Sequence, residues 1–206
     1  RTAVQEEGEA VELGAVASVA DGELGQAYRT AHDRVLAELD GHRYHALLSA
    51  LDGLVTTPPF TERAAAPAGK VLPRRVARSY AKVRGIVKEA DATPAGAERE
   101  ELLHDARKAA KRARYAGESV SPIFGSDASS FAKAMEDVQE ALGEHQDSVL
   151  ARERLRDLAR HTSSTDAAFL YGRLHALEEE RGKQSQQHFD AAWKTARRKS
   201  LHRWLR

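Results

Sequence analysis

One stretch of this chain concentrates residues that bind anions. Between Leu103 and Tyr115 it carries one histidine and five lysines or arginines, with no glycine or proline. Alanine, lysine and arginine favour helix, so this stretch is predicted to be helical, with one turn every 5.4 Å or so. Six of its residues then share or flank one face, which suits a polyanion better than a single small ligand. We call them the basic stripe: His104, Arg107, Lys108, Lys111, Arg112 and Arg114.

More cations precede the basic stripe. Arg74, Arg75, Arg78 and Lys82 also follow helical spacing, and Arg43 stands alone further upstream. Arginine presents planar, forked donors that match phosphate oxygens, and lysine supplies a mobile point charge. We therefore predict phosphate contacts for Arg43, Arg75, Arg78 and Lys82 as well. The alternative is a solvated helix face, the usual place for such residues.

The formal net charge of +1 conceals a segregation of charge along the chain. Residues 1–60 hold 4 Lys or Arg against 10 Asp or Glu, a net of −6. Residues 70–115 hold 13 against 6, a net of +7, and residues 194–206 are basic without any acid. A nearly neutral chain can therefore still present a strongly basic surface to a polyanion.

Several function classes lack support in the sequence. Without cysteine there is neither a disulfide framework nor a thiolate metal site, which fits a cytoplasmic protein. No apolar stretch approaches the roughly 18 residues of a membrane span, so we expect no membrane contact. Gly-rich phosphate loops and nucleophile motifs are missing, and His42 and His45 have no neighbours that complete a metal site. We predict no enzyme activity, no cofactor and no bound metal.

The elements that must position the cations are predicted to be helices. The chain is 41% hydrophobic and only 6% aromatic, and no segment alternates with period 2, which is typical of an all-α helical bundle. Residues 1–24 are weakly patterned and predicted as loop or ragged helix. Residues 56–72, with three prolines, are predicted as a linker, and residues 121–127 as a loop. Helices are predicted over residues 24–55 with an interruption at Gly41, from Pro73 to 90, from 95 to 120, from 129 to 159 with a bend at Gly143, and from 166 onward with a break near Gly182.

A faint internal repeat relates the two ends of the chain. Asp33–His45 can be aligned with Asp190–His202 at an offset of 157 residues. A counterpart of His104 would then precede Arg1, so the first half is expected to be incomplete. A chance alignment of two amphipathic helices is the alternative.

Three segments together resemble the CHAD family, the conserved histidine α-helical domain. The stretch Leu103–Tyr115 is similar to the second signature helix of the family, and Leu142–Asp147 is similar to the Leu-Gly-x-x-x-Asp segment that follows it. Residues 37–48 resemble the helix that closes the first half of the family's domain. The resemblance implies two pseudo-symmetric halves of long antiparallel helices around a central basic cradle. The family's first signature helix has no match in this sequence.

The resemblance also implies a function, namely binding of inorganic polyphosphate in a basic cradle, with association to polyphosphate granules. We accordingly expect one domain over residues 1–206, with 1–55 the remnant of the first half, 56–72 the linker and 73–206 the second half. A second copy in a homodimer is one source of the missing helix.

Two other functions remain alternatives. Glu98, Glu100, Glu101 and Asp105 lie near the basic stripe, as a metal-assisted phosphohydrolase acting on polyphosphate or triphosphate would require. The other alternative is a generic binder of polyanions or nucleic-acid backbones. Only Tyr115 interleaves an aromatic ring with the cations, so sequence-specific nucleic-acid binding is not expected.

Overall fold

The computed structural model describes residues 25–205, and every regular element in that range is helical. The predicted all-α helical class is therefore confirmed, while the prediction for residues 1–24 lies outside the described residues. Between residues 25 and 205, no helix is long and apolar enough to cross a membrane. The elements are α1 (25–39), α2 (His42–Thr56), α3 (Ala68–Ala92), α4 (Ala97–His161) and α5 (Thr165–Ala196), with short 3-10 segments at Glu62–Ala65 and Lys199–Leu205.

Helix α4 is a hairpin of two arms. Gly125, with φ 58° and ψ −135°, interrupts it in a conformation that glycine adopts without strain. The first arm, 97–124, turns there into the second arm, 126–161, and the two run antiparallel because residue 100 meets 145 and residue 114 meets 136. The loop predicted over residues 121–127 was wrong, since the helix passes Pro122 and the reversal needs little more than one glycine.

Three other predicted boundaries differ from the structure. Helix α3 begins at Ala68, so Pro73 lies inside it, buried in the second turn, rather than at its start. Gly143 and Gly182 bend or break no helix. Both are instead places of close packing: an added Cβ would lie 3.2 Å from Arg107 Nε at Gly143 and 2.9 Å from Ser148 Oγ at Gly182.

The described chain divides into two compact units. The first contains α1, α2 and the residues up to 65 together with residues 161–170, and the second contains residues 66–160 and 171–205. In the second unit, α3, the two arms of α4 and the rest of α5 follow one another as antiparallel neighbours. Ion pairs and hydrogen bonds between residues 144 and 188, 148 and 178, and 156 and 175 place α5 against the second arm. This is an up-down-up-down four-helix bundle.

A core of valines, alanines and aromatic residues holds the second unit together. Tyr80 of α3 lies 6.0 Å from Phe131 and 6.2 Å from Trp193, measured between ring centroids. Alanines on the first arm allow the neighbouring helices to approach closely. The core residues include Val76, Val83, Val87, Leu103, Ala106, Ala110, Ala113, Phe131, Met135, Val138, Leu142, Phe189 and Trp193.

The two segments of the internal repeat break at equivalent positions. Helix α1 ends at residue 39 and α2 begins at 42, while α5 ends at residue 196 and the last 3-10 segment begins at 199. The end of the first helix and the start of the next are therefore each displaced by 157 residues between the two segments, which is the predicted offset. Burial differs: Trp193 is 6% exposed, whereas its counterpart Leu36 is 48% exposed. The shared break supports a real repeat over a chance alignment.

Candidate polyanion-binding surface

The packing of the first arm determines where the basic stripe faces. Leu103, Ala106, Ala110 and Ala113 are at most 3% exposed and form the core-facing side of this arm. Their three- and four-residue spacing leaves the rest of the helix surface for the stripe, part of which borders the second arm. The all-helical prediction for this stretch is thus confirmed, and the cations lie on one elongated surface of the second unit.

His104 and Arg107 face the second arm. The Nδ1 of His104 donates a hydrogen bond to Oε1 of Gln146, and Nε2 has no hydrogen-bond partner among residues 25–205. The Nε of Arg107 is buried without a hydrogen-bond partner among the described residues, and it lies against Gly143. The second arm therefore positions one end of the stripe.

Lys108 forms an ion pair within the first arm. Its Nζ lies 2.6 Å from Asp105 Oδ1, and about half of each side chain is exposed. The hydrogen bond from Lys108 lowers the pKa of Asp105, and the charges of His104 and Lys82 act in the same direction. Because Lys82 belongs to α3, this influence shows that Lys82 lies near Asp105 of the first arm.

The other end of the stripe surrounds Tyr115. Lys111 Nζ lies 5.8 Å from the ring centroid, and the Arg114 guanidinium lies 5.4 Å from it. Arg114 is also bound to Glu118 at 2.7 Å and to Glu136 at 3.2 Å. Lys111 and Arg112 are exposed, and over residues 25–205 neither pairs with a carboxylate. Within the stripe these two charges are thus the ones most available to a ligand.

The cations of α3 form a second row. All four are exposed, and across the described range none has an ion-pair partner. Helix α3 and the first arm are antiparallel neighbours: Arg99 Nε donates to the Ala90 carbonyl at 3.3 Å, and the charge of Lys82 reaches Asp105, so the Lys82 end of the row lies next to the stripe. We call this row the α3 row: Arg74, Arg75, Arg78 and Lys82.

Arg43 belongs to the first unit, whereas the stripe belongs to the second. It lies on α2 in the first unit, where its Nη1 binds Glu38 Oε2 at 3.2 Å. Its side chain is 86% exposed. Its phosphate contact stays a prediction.

Several residues that pair with the stripe or border it were not predicted from the sequence. Gln146 forms a hydrogen bond with His104, Glu136 forms an ion pair with Arg114, and His145 binds Glu100 at 2.7 Å. Each pair joins residues more than 20 positions apart, so helical spacing gave no signal for it. Asp147 is exposed and has no ion-pair partner among residues 25–205.

The acidic residues near the stripe do not converge. No group of three or more His, Asp or Glu side chains in the described chain is close enough to hold a metal ion. Glu100 binds His145 and Asp105 binds Lys108. Both carboxylates are therefore engaged in pairs within the protein.

Comparisons with known proteins identify the family of this chain. The sequence is 36% identical over 171 residues to uncharacterized protein MT2285 of Mycobacterium tuberculosis strain CDC 1551 / Oshkosh, and equally to uncharacterized protein Rv2226 of strain ATCC 25618 / H37Rv. These matches cover 80% of this chain but 31% of each relative, so the chain spans less than a third of their length. No solved structure gives a significant match. The family model for the CHAD domain matches residues 1–156, and the chain therefore belongs to the CHAD domain family.

Proposed function

We propose that this chain binds inorganic polyphosphate without hydrolysing it. The observation that carries the proposal is the pair of adjacent cation rows in the second unit, in which Lys111, Arg112 and the α3 row have no carboxylate partner among the described residues. Cations that merely solubilise a helix gain nothing from lying side by side, since like charges repel. A linear polyanion relieves that repulsion along the whole surface.

The chemistry of a phosphate chain fits this surface better than that of a nucleic acid. Each phosphate offers oxygens to arginine forks and lysine ammonium groups, and no base has to be read. Tyr115 is the aromatic ring of the stripe, and Lys111 and Arg114 already lie near it. Stacking platforms for successive bases are thus missing from the described part of this surface. Residence at polyphosphate granules in the cytoplasm is part of the proposal.

Titration calorimetry tests the proposal. Long-chain polyphosphate is titrated at two salt concentrations, beside duplex DNA at equal phosphate, while orthophosphate release is followed. Binding that weakens steeply with salt, prefers polyphosphate and releases no orthophosphate is expected, because condensed counterions are displaced on binding. Equal affinity for DNA would make the surface a generic polyanion patch, and phosphate release would favour the hydrolase.

A further inference from the structure

A second group of cations lies on another side of α3. Arg84 follows Lys82 by two residues, and two residues turn a helix by about 200°. Arg84 therefore points away from the α3 row and toward the C-terminal 3-10 segment. It lines a cleft of about 730 Å³, which we call the C-terminal cleft, together with Tyr80, Arg197, Lys199, His202 and Arg203.

The charge of this cleft is uncompensated. None of its four cations pairs with a carboxylate between residues 25 and 205, and all four are exposed. Burial raises the pKa of Tyr80, while the charges of Arg84 and Arg197 oppose that rise, so both guanidinium groups lie near the phenol. Cations gathered around a concave surface without acids create a strong local field that attracts anions.

The aromatic groups of the cleft are already engaged. The Tyr80 and His202 rings stack at 4.1 Å between centroids. Trp193 is 6% exposed, and the Arg197 guanidinium lies 6.0 Å from its ring centroid. A nucleobase would therefore have to displace His202 to stack between it and Tyr80, or Arg197 to reach Trp193. The cleft fits an anion made of phosphate groups alone.

The fold does not require these cations. At the repeat offset of 157, the positions of Arg197, Lys199 and Arg203 correspond to Asp40, His42 and Ala46. That segment also forms a helix, a two-residue break and a second helix, which is α-helical where the C-terminal copy is 3-10, with an acid, a histidine and an alanine in place of three cations. The basic residues are thus specific to the C-terminal copy, which points to a ligand rather than to the turn.

We propose that the C-terminal cleft is a second binding site, separate from the stripe, for a short inorganic phosphate chain. The volume of the cleft lies within the range of ordinary ligand pockets. That volume is larger than one phosphate requires and accommodates several linked phosphates. The arginine forks bind the chain, and Lys199 adds a point charge. The proposal shares its ligand class with the proposed function but rests on different residues.

The two tryptophans of the chain make the cleft observable. Trp193 lies beside Tyr80 and Arg197, and Trp204 follows His202 and Arg203 directly in the 3-10 segment. Inorganic tripolyphosphate is titrated while tryptophan fluorescence and heat are recorded. A saturable fluorescence change is expected for the wild-type chain. It should require at least about a hundred times more ligand in Arg84→Gln/Arg203→Gln, since two charge-assisted bonds are lost and each is worth roughly tenfold or more.

A matched variant separates this inference from the proposed function. Lys111→Gln/Arg112→Gln removes the same charge from the stripe, and it should keep the fluorescence response. If wild-type protein binds long-chain polyphosphate without any tryptophan response, the cleft proposal is wrong and the proposed function stands. If the cleft variant alone loses binding of both ligands, the cleft proposal stands and the stripe assignment fails. An equal fluorescence response to duplex DNA would overturn the assignment to an inorganic chain.

Discussion

Neutralising Lys111 and Arg112 together tests the basic stripe most directly. Both side chains are exposed, and in the described chain neither pairs with an acid, so Lys111→Gln/Arg112→Gln leaves no carboxylate stranded. Glutamine has nearly the helix propensity of lysine and arginine. The contact between Lys111 and the Tyr115 ring is lost, at a cost of about 0.5–1 kcal/mol for an exposed pair. In a chain of this size that cost lowers Tm by roughly 2–4 °C at most.

The loss of affinity follows from counterion release. For a flexible polyanion, log K changes with log salt concentration by about −0.7 per neutralised charge. At 0.1 M salt each contact then contributes about 0.7 log units, so two lost contacts weaken binding roughly 25-fold, or about 1.9 kcal/mol. The salt slope itself should become shallower by about 1.4.

Calorimetry with long-chain polyphosphate at several salt concentrations measures both quantities. The control for net charge is Arg181→Gln/Lys183→Gln, which removes two positive charges from exposed positions of α5 together with their ion pairs to neighbouring glutamates. Unchanged affinity and slope in the folded stripe variant would refute the assignment of these two residues. An equal loss in the control would show that net charge, rather than the stripe, determines binding.

Three further outcomes are expected. In Gly143→Ala the new Cβ meets Arg107 Nε at 3.2 Å, so calorimetry should show weaker polyphosphate binding while thermal melts show stability unchanged or raised by up to about 1 kcal/mol. In Gly117→Ala the Cβ meets Phe131 Cδ1 at 2.9 Å, and denaturant unfolding should reveal a loss of about 1–3 kcal/mol. Burial lowers the pKa of His202, so the unfolded chain binds the extra proton and stability should fall as pH drops below about 6.5. Denaturant unfolding at pH 7.5 and 5.5 should show a smaller decrease for His202→Gln than for wild type.

Local periodicity was sufficient to predict the helical class and the face that carries the stripe. The three- and four-residue spacing of cations and the alanines between them both depend on neighbours within two turns. The prediction at Gly41 was also correct, since α1 and α2 are separated there. Local pattern is therefore a good guide wherever one helix turn decides the outcome.

Tertiary packing explains the predictions that were wrong. Gly143 looked like a bend because glycine weakens a helix, yet it lies in a continuous helix where Arg107 needs the space of a missing side chain. The bond from His104 to Gln146 spans 42 residues, which no helical spacing encodes. The C-terminal cleft likewise depends on the distance between α3 and the last segment, which the sequence alone does not reveal.

Helical spacing gives no reason to expect one stripe residue to bind phosphate better than another. Their ion pairs within the protein do, because a paired cation is less available to a ligand. Arg114 is already held by Glu118 and Glu136, so a phosphate must compete with two carboxylates for it. Arg112 is exposed and has no such partner among the described residues. We therefore expect Arg112→Gln to weaken polyphosphate binding about fivefold at 0.1 M salt and Arg114→Gln to weaken it less. In denaturant unfolding, by contrast, Arg114→Gln should lower the free energy of unfolding more than Arg112→Gln, because only Arg114→Gln removes ion pairs. A larger binding loss for Arg114→Gln would mean that its carboxylate partners position it for the ligand instead of competing with it.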